Sequence, residues 1–362
     1  MRPAGSSEVG HWRAPAGLRS DEGAAGDGEA TREAGAPSGG GPPKRLRKPE
    51  ALRLLGVDIG GTKIAVAVVE AADGTVVARR VVPTPAEQGP IAVVEAAADL
   101  AARVLAAYPA AAAGVGAPGV VDAERGVVVT STGYLPGWEG TKVAAELERR
   151  LGLPFAADND VNAAALGEAR HGAGRGLGSF LLVVVGTGLG GAIVREGRVL
   201  RGASGTAGEV GHVPVFGAEE VRCSCGRSGH LEAVVAAPGI TAAYRRAGGE
   251  PGVDVRTMAR RAAVGDQAAA TILRAAGTAF GRTLGGLVNT LDPEAVILGG
   301  GVMQAGEPLW APLEAAMRAE VLPSVADVPL RPAELGVDAG VIGAAELARE
   351  LVAPYAAVGA PP

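Results

Sequence analysis

Two short glycine turns, each followed by an apolar strand and preceded by another, constrain the fold of this chain most. The first is Gly60-Gly61, between predicted strands over 54–59 and 63–69. The second is the run 186–191 (GTGLGG), which follows an apolar strand over 179–185. Either turn alone is also explained as a tight hairpin, although glycine would let backbone N–H groups approach an oxyanion there. Their recurrence predicts two related α/β lobes with a cleft between them.

The segments around these turns predict further strands and helices. The hairpin signal Asp73-Gly74 introduces a strand over 75–82, and apolar residues at helical spacing predict an amphipathic helix over 91–105. A second strand of the second half covers 190–195. The other predicted elements are strands over 113–117 and 294–298, and helices over 141–150, 161–170, up to about 288, and 341–351.

These elements predict a division of the chain into a tail and two lobes. Residues 1–50 are Gly, Ala, Pro, Ser, Arg and Glu with almost nothing to bury, so we expect them to be disordered. A small α/β lobe is predicted over 51–165, and the helix over 340–352 is expected to pack back on it. The large lobe, over 166–339, would contain the Cys/His segment described below.

Composition argues against several functions. A formal net charge of -5 leaves no excess of basic residues for coating nucleic acid. No apolar run reaches the roughly 18 to 20 residues that a membrane helix needs, and the N-terminus lacks the apolar segment of a signal peptide. We therefore expect a cytoplasmic protein with no nucleic-acid or membrane partner.

Both cysteines and two of the four histidines lie in one short segment, at His212, Cys223, Cys225 and His230. Thiolate and imidazole are the ligands that tetrahedral zinc prefers, and this set leaves no position for a reacting water. A disulfide within Cys-x-Cys would close a small, strained ring. The alternative is a reduced, packed Cys-x-Cys beside two unrelated histidines. We predict a structural zinc ion.

Other polar residues surround the glycine turns and the Cys/His segment. Glu209 and Glu232 flank the segment and are free to bind a ligand. Asp58 precedes the first turn and would supply charge for Mg²⁺ or its waters. Neither turn is a Walker A loop or a dinucleotide fingerprint. Together with a third glycine run, 299–301 after a buried strand, they favour a nucleotide-binding cleft.

These motifs resemble those of the ROK family of sugar kinases, and among them its glucokinases. The resemblance extends from about Leu54 to Leu351. It implies a two-lobed actin/hexokinase-like (ribonuclease H-like) fold with an interlobe cleft, and ATP-dependent phosphorylation of glucose at its 6-hydroxyl. The motifs that carry it are 58–63 (DIGGTK), 116–119 (GAPG), 158–162 (DNDVN), 186–191 (GTGLGG), 209–212 (EVGH), 223–229 (CSCGRSG) and 298–301 (LGGG).

The resemblance implies roles for individual residues. Asp160 would be the general base, although the residues alone favour a simpler role for it, capping a helix that starts at Val161. His212 would place one ring nitrogen on zinc and the other on the sugar. Asn159, Gly119, Glu209 and Glu232 would also contact the sugar. The residues implied for ATP and Mg²⁺ are Asp58, Gly60, Gly61, Thr62, Lys63, Gly186, Thr187, Gly188, Gly299 and Gly300.

The chain departs from the family pattern at two positions. Many members have a third cysteine where this chain has His230, and imidazole ligates zinc equally well. Related kinases often have Asn where this chain has Tyr134, in a loop near the sugar.

Several alternatives remain open at this level. The acceptor could be N-acetylmannosamine, N-acetylglucosamine, fructose or mannose, and the donor could be polyphosphate. A non-catalytic, sugar-sensing regulator would carry a winged helix-turn-helix, and the first 50 residues show no basic recognition helix. By analogy we expect a homo-oligomer, either a dimer or a tetramer.

Overall fold

A computed structural model describes residues 52–131 and 135–356, with the side chains of 353–356 excepted. The predicted disordered tail and Tyr134 lie outside the described residues. The strands are β1 (Arg53–Ile59), β2 (Lys63–Glu70), β3 (Val76–Pro83), β4 (Ala112–Ala117), β5 (Val120–Asp122), β6 (Val127–Thr130), β7 (Phe155–Asn159), β8 (Ser179–Val185), β9 (Leu189–Arg195), β10 (Arg198–Val199), β11 (Val296–Gly299) and β12 (Leu330–Pro332). The helices are α1 (Pro90–Ala107), α2 (Val143–Leu151), α3 (Asp160–His171), α4 (Leu231–Val235), α5 (Ala237–Arg246), α6 (Val255–Ala263), α7 (Gln267–Leu291), α8 (Glu307–Glu320), α9 (Ala339–Leu347) and α10 (Arg349–Ala356).

Two five-stranded sheets share one topology. The first has the order β3-β2-β1-β4-β7 and the second β10-β9-β8-β11-β12. In each sheet the strand pair around the glycine turn is antiparallel, β1 with β2 and β8 with β9. The next two strands run parallel to the first of that pair. This repeated topology confirms the predicted two-lobed α/β fold class.

The sequence analysis missed strand β7, although it leads directly into the site. Its residues, FAADN, include two alanines and two residues that are rare in strands, so its β-propensity is low. It forms because it pairs in parallel with buried β4. It ends at Asn159, and α3 starts at the next residue.

Helices α3 and α9 form a layer between the two sheets. On one side α9 packs against β1 and β4, where a Cβ on Gly56 would lie 1.8 Å from the carbonyl oxygen of Val341. On the other side α3 packs against β8 and β9. The two helices also touch each other through their backbones, because a Cβ on Gly343 would lie 1.7 Å from the carbonyl oxygen of Ala163.

Within the described ranges, no helix combines the length and apolarity needed to cross a bilayer.

We predict that Gly343→Ala destabilises the fold by about 3 kcal/mol, because the added methyl group collides with the α3 backbone and forces the helices apart. The matched control is Gly286→Ala on α7, where the added Cβ meets nothing within 4 Å. That control should stabilise the protein by roughly 0.5–1 kcal/mol. Urea unfolding followed by circular dichroism measures both, and equal effects from the two variants would contradict the close-packing argument.

Candidate active site

A cavity of about 710 Å³ opens where the turns of the two sheets face each other. Its walls come from the β1–β2 turn, the loop after β4, the start of α3, the β8–β9 turn and the Cys/His segment. The candidate residues that line it are Gly61, Thr62, Gly119, Asn159, Asp160, Gly186, Thr187, Gly188, Glu209, His212, Cys225 and Glu232.

Five residues predicted to contact the nucleotide are not among those lining the cavity, and two of them show the reason. The backbone N–H of Gly60 donates to the carbonyl oxygen of Lys63 at 2.9 Å, so it closes the turn. Gly300 packs on the last residue of β8, since a Cβ there would lie 2.2 Å from the carbonyl oxygen of Val185. Gly60 therefore shapes the first glycine turn, and Gly300 packs against the end of the strand that leads into the second. The five residues are Asp58, Gly60, Lys63, Gly299 and Gly300.

Asn159, rather than Asp160, caps helix α3. Its Oδ1 accepts from the N–H groups of Val161 and Asn162, at 2.9 and 3.1 Å. Its Nδ2 donates to the carbonyl oxygen of Gly119 at 3.0 Å. The helix begins at Asp160 itself, one residue earlier than predicted. The capping role considered for Asp160 therefore belongs to its neighbour, and one N–H of the Asn159 amide remains for a ligand.

The environment of Asp160 favours the protonated, neutral form of its carboxyl group, relative to the same group in water. Burial and the nearby charges of Asp58 and Glu209 together raise the pKa of Asp160 to about 7, against the opposing hydrogen bond from the N–H of Val161. Burial also raises the pKa of Asp58 to about 6, although Lys63 and Arg79 oppose the shift. A carboxyl group with a pKa close to neutral suits general acid–base work, in which one group must both take and release a proton.

Sequence reasoning missed an ion pair next to the connection between β7 and α3. Asp158, on β7, is buried, and its Oδ2 accepts from Arg201 Nε at 2.9 Å and lies 2.7 Å from Arg201 Nη2. Its Oδ1 accepts from the Asn159 N–H at 2.7 Å and from Asn162 Nδ2 at 2.9 Å. Asp158 lies within a motif, which was a signal. Arg201 carried no signal, because its partner is 43 residues away in the sequence.

Glu209 and Glu232 occupy different environments in the cavity wall. Glu209 Oε2 lies 3.7 Å from His212 Nε2, and burial raises the pKa of Glu209 against the opposing effect of His212. Glu232 is buried, and its Oε2 accepts from the Leu189 N–H at 3.0 Å. Its Oε1 accepts from the Ser224 hydroxyl. Glu232 therefore joins the β8–β9 turn to the Cys/His segment.

The four Cys and His side chains lie together, with one ligand atom from each and all four atoms within 4.8 Å of one another. His212 Nδ1 is 3.7 Å from Cys223 Sγ, and His230 Nδ1 is 3.2 Å from Cys225 Sγ. Zinc bonds about 2.0–2.3 Å long place tetrahedral ligand atoms roughly 3.3–3.8 Å apart. The set fits zinc. Because its Nε2 faces Glu209, His212 presents Nδ1 to the metal position and Nε2 to the cavity.

Hydroxyl groups that the sequence analysis did not single out also face the cavity. Single Ser and Thr residues in loops are common, so no pattern distinguished them. They add neutral donors and acceptors beside the carboxylates, a combination that suits a polyhydroxylated ligand. These residues are Thr130, Ser131, Thr206 and Ser224.

Comparison with known proteins agrees with this fold. Residues 54–351 match the ROK family. The glucokinase of Halalkalibacterium halodurans is 34% identical over 318 residues, which cover 82% of this chain and 94% of that protein. The N-acetylmannosamine kinase of Shigella boydii is 35% identical over 298 residues, 82% of this chain and 99% of that protein. A crystal structure of a ROK family glucokinase from Streptomyces griseus, in complex with glucose and AMPPNP, is 32% identical with a TM-score of 0.73, covering 82% and 99% of the two chains.

The chain therefore belongs to the ROK family, and it has the two-lobed fold of that family's hexokinase-like structures. The expected family resemblance is confirmed over the residues predicted to carry it.

We predict that Cys225→Ala removes zinc from the purified protein and lowers its thermal stability, because the cluster loses one of four ligands. Sugar affinity should fall with it, since His212 loses the partner that orients its ring. Elemental analysis, thermal unfolding and calorimetric titration with glucose measure the three effects. The control is Arg227→Ala, which alters an exposed side chain of the same segment. Zinc loss with unchanged sugar affinity would contradict the orienting role of the metal.

Proposed function

We propose that this protein is an ATP-dependent sugar kinase that phosphorylates glucose at its 6-hydroxyl, with Asp160 as the general base. The observation that carries the proposal is the shared cavity. Asp160 lines it together with residues of both glycine turns and with Glu209 and His212. A primary hydroxyl attacking a phosphoryl group needs a proton acceptor within reach, and catalysis otherwise depends on positioning and charge.

The glycine turns are suited to the donor. Gly61 and Thr62 come from one sheet, and Gly186, Thr187 and Gly188 from the other, so their N–H groups approach a polyphosphate from two sides. The expected donor is ATP with Mg²⁺, and the AMPPNP complex of the S. griseus relative supports a nucleotide in this fold. The charge of Asp58 contributes to the raised pKa of Asp160, and a cation bound near Asp58 would oppose that contribution.

A second group of residues that line the cavity is suited to the sugar. Glu209 and the Nε2 of His212 lie side by side and face the cavity, where they can bind neighbouring hydroxyl groups. Asn159 offers its remaining N–H, and Glu232 offers the lone pairs that Leu189 and Ser224 do not use. A structural zinc held by His212, Cys223, Cys225 and His230 would hold these sugar-binding side chains in place.

The lobes are part of the same proposal. We assign residues 51–165 with the helix over 340–352 to the small lobe, and 166–339 to the large lobe. The α3–α9 layer then lies where the lobes meet, and closure over both substrates would exclude water from the phosphoryl group.

N-acetylmannosamine is the second candidate substrate, because the S. boydii N-acetylmannosamine kinase is 35% identical to this chain, against 34% for the H. halodurans glucokinase. A coupled assay over glucose, N-acetylmannosamine, N-acetylglucosamine, mannose and fructose, with ATP or polyphosphate as donor, decides between them. We expect glucose with ATP to have the highest kcat/KM, since that ratio defines specificity. A higher value for N-acetylmannosamine would replace glucose in the proposal and leave the kinase chemistry intact.

We predict that Asp160→Asn lowers kcat by about 10²–10⁴-fold, the usual contribution of a general base, and leaves glucose affinity nearly unchanged. In the wild-type protein kcat/KM should fall as the pH drops through about 7, because only the carboxylate form of Asp160 accepts a proton. Asp99→Asn, on the exposed face of α1, is the control and should retain full activity. Near wild-type turnover in Asp160→Asn would rule out the base assignment.

A further inference from the structure

We infer, resting on the proposed kinase function, that the ion pair of Arg201 and Asp158 positions Asp160 at the start of α3, and that Arg201 is the positioning residue. Neither side chain lines the cavity. Their contacts nevertheless reach Asn159 and Asn162, which lie next to the proposed proton acceptor, and the loop that leads to Glu209.

Asp158 holds the first turn of α3 from below. Its Oδ1 accepts from the Asn159 N–H and from the Asn162 side chain, which lie on either side of Asp160 in the chain. Asn159 in turn caps the helix and bonds Gly119 across the cavity rim. A shift of the Asp158 carboxylate therefore moves the residues that set the position of Asp160.

Arg201 supplies the countercharge that Asp158 needs. Asp158 is 1% exposed, and a buried carboxylate without a cationic partner is costly. Arg201 places both Nε and Nη2 within 2.9 Å of the same Oδ2. The arrangement uses two donors of one planar guanidinium, which a lysine ammonium reproduces only in part.

The pair also connects the two sheets. Asp158 lies on β7 of the first sheet, and Arg201 follows β10 of the second. The carbonyl oxygen of Arg201 accepts from the Ala207 N–H at 3.1 Å and closes the loop that leads to Glu209. Arg201 therefore binds Asp158 through its side chain, and through its backbone it binds the loop that leads to Glu209. This contact sets the distance between the proton acceptor and the bound hydroxyl.

The test compares Arg201→Met, Arg201→Lys and the double variant Asp158→Asn with Arg201→Met. Arg201→Met should lower kcat by about 10- to 100-fold, the scale of a small misplacement of a catalytic group. Glucose affinity by calorimetry should change much less than kcat, because the backbone bond to Ala207, which closes the loop leading to Glu209, remains. Arg201→Lys should fall between this variant and the wild type.

The double variant distinguishes positioning from general damage. An asparagine at 158 keeps an acceptor for Asn159 and Asn162 without a buried charge, so the double variant should recover at least several-fold in kcat over Arg201→Met. The control is Arg198→Met, an exposed arginine on β10 whose loss should not change kcat. A double variant no faster than Arg201→Met would overturn the inference, and so would full activity in Arg201→Met.

Two further outcomes keep the test decisive. If Arg201→Met does not yield folded protein, Arg201→Lys carries the test. Reduced kcat at unchanged glucose affinity then supports the inference, and wild-type kcat overturns it. A wild-type chain that phosphorylates no sugar would instead overturn the proposed function. That outcome differs from an active wild type in which replacement of Arg201 leaves kcat unchanged, which overturns only this inference.

Discussion

The backbone contact between α3 and α9 is the constraint on which the site depends. Only glycine at position 343 lets α9 lie directly on the α3 backbone at Ala163. Helix α9 is itself seated on β1 and β4 through Gly56 and its neighbours. Since α3 begins at Asp160, the position of the proposed base follows from helix packing that starts at the first sheet. Close packing of this kind has low compressibility, so the contact between α3 and α9 is rigid.

Buried carboxylates fix the other end of the same layer. Glu168 near the end of α3 is fully buried, and it accepts N–H groups from Ala173 and from the segment at 334–335 that leads to α9. His171 Nε2 lies 2.9 Å from the buried carboxylate of Glu346 on α9. Hydrogen bonds to both oxygens compensate such burial. Helix α3 is thus held at both ends, with Asp158 at its start, and neither end is free to rotate.

The sequence predicted the parts of the fold that have local periodicity or unusual composition. The strand pairs around 60–61 and 186–191 were visible because apolar runs flank the glycines, and the Cys/His cluster was visible because it is short. Strand β7 was missed, since its residues form a strand only beside β4. The Asn159 cap and the Arg201 contact depend on tertiary position, which no spacing encodes.

Glu232 connects the Cys/His segment to the β8–β9 turn. One oxygen accepts the N–H of Leu189 in the β8–β9 turn, and the other accepts the hydroxyl of Ser224, which lies between the two cysteines. A displaced Cys/His segment would therefore leave a buried carboxylate with an unpaired oxygen, which is unfavourable, and Glu232 would have to move as well. Because the β8–β9 turn is bonded to the same side chain, a metal held by the Cys/His segment would also stabilise the turn proposed to bind the donor.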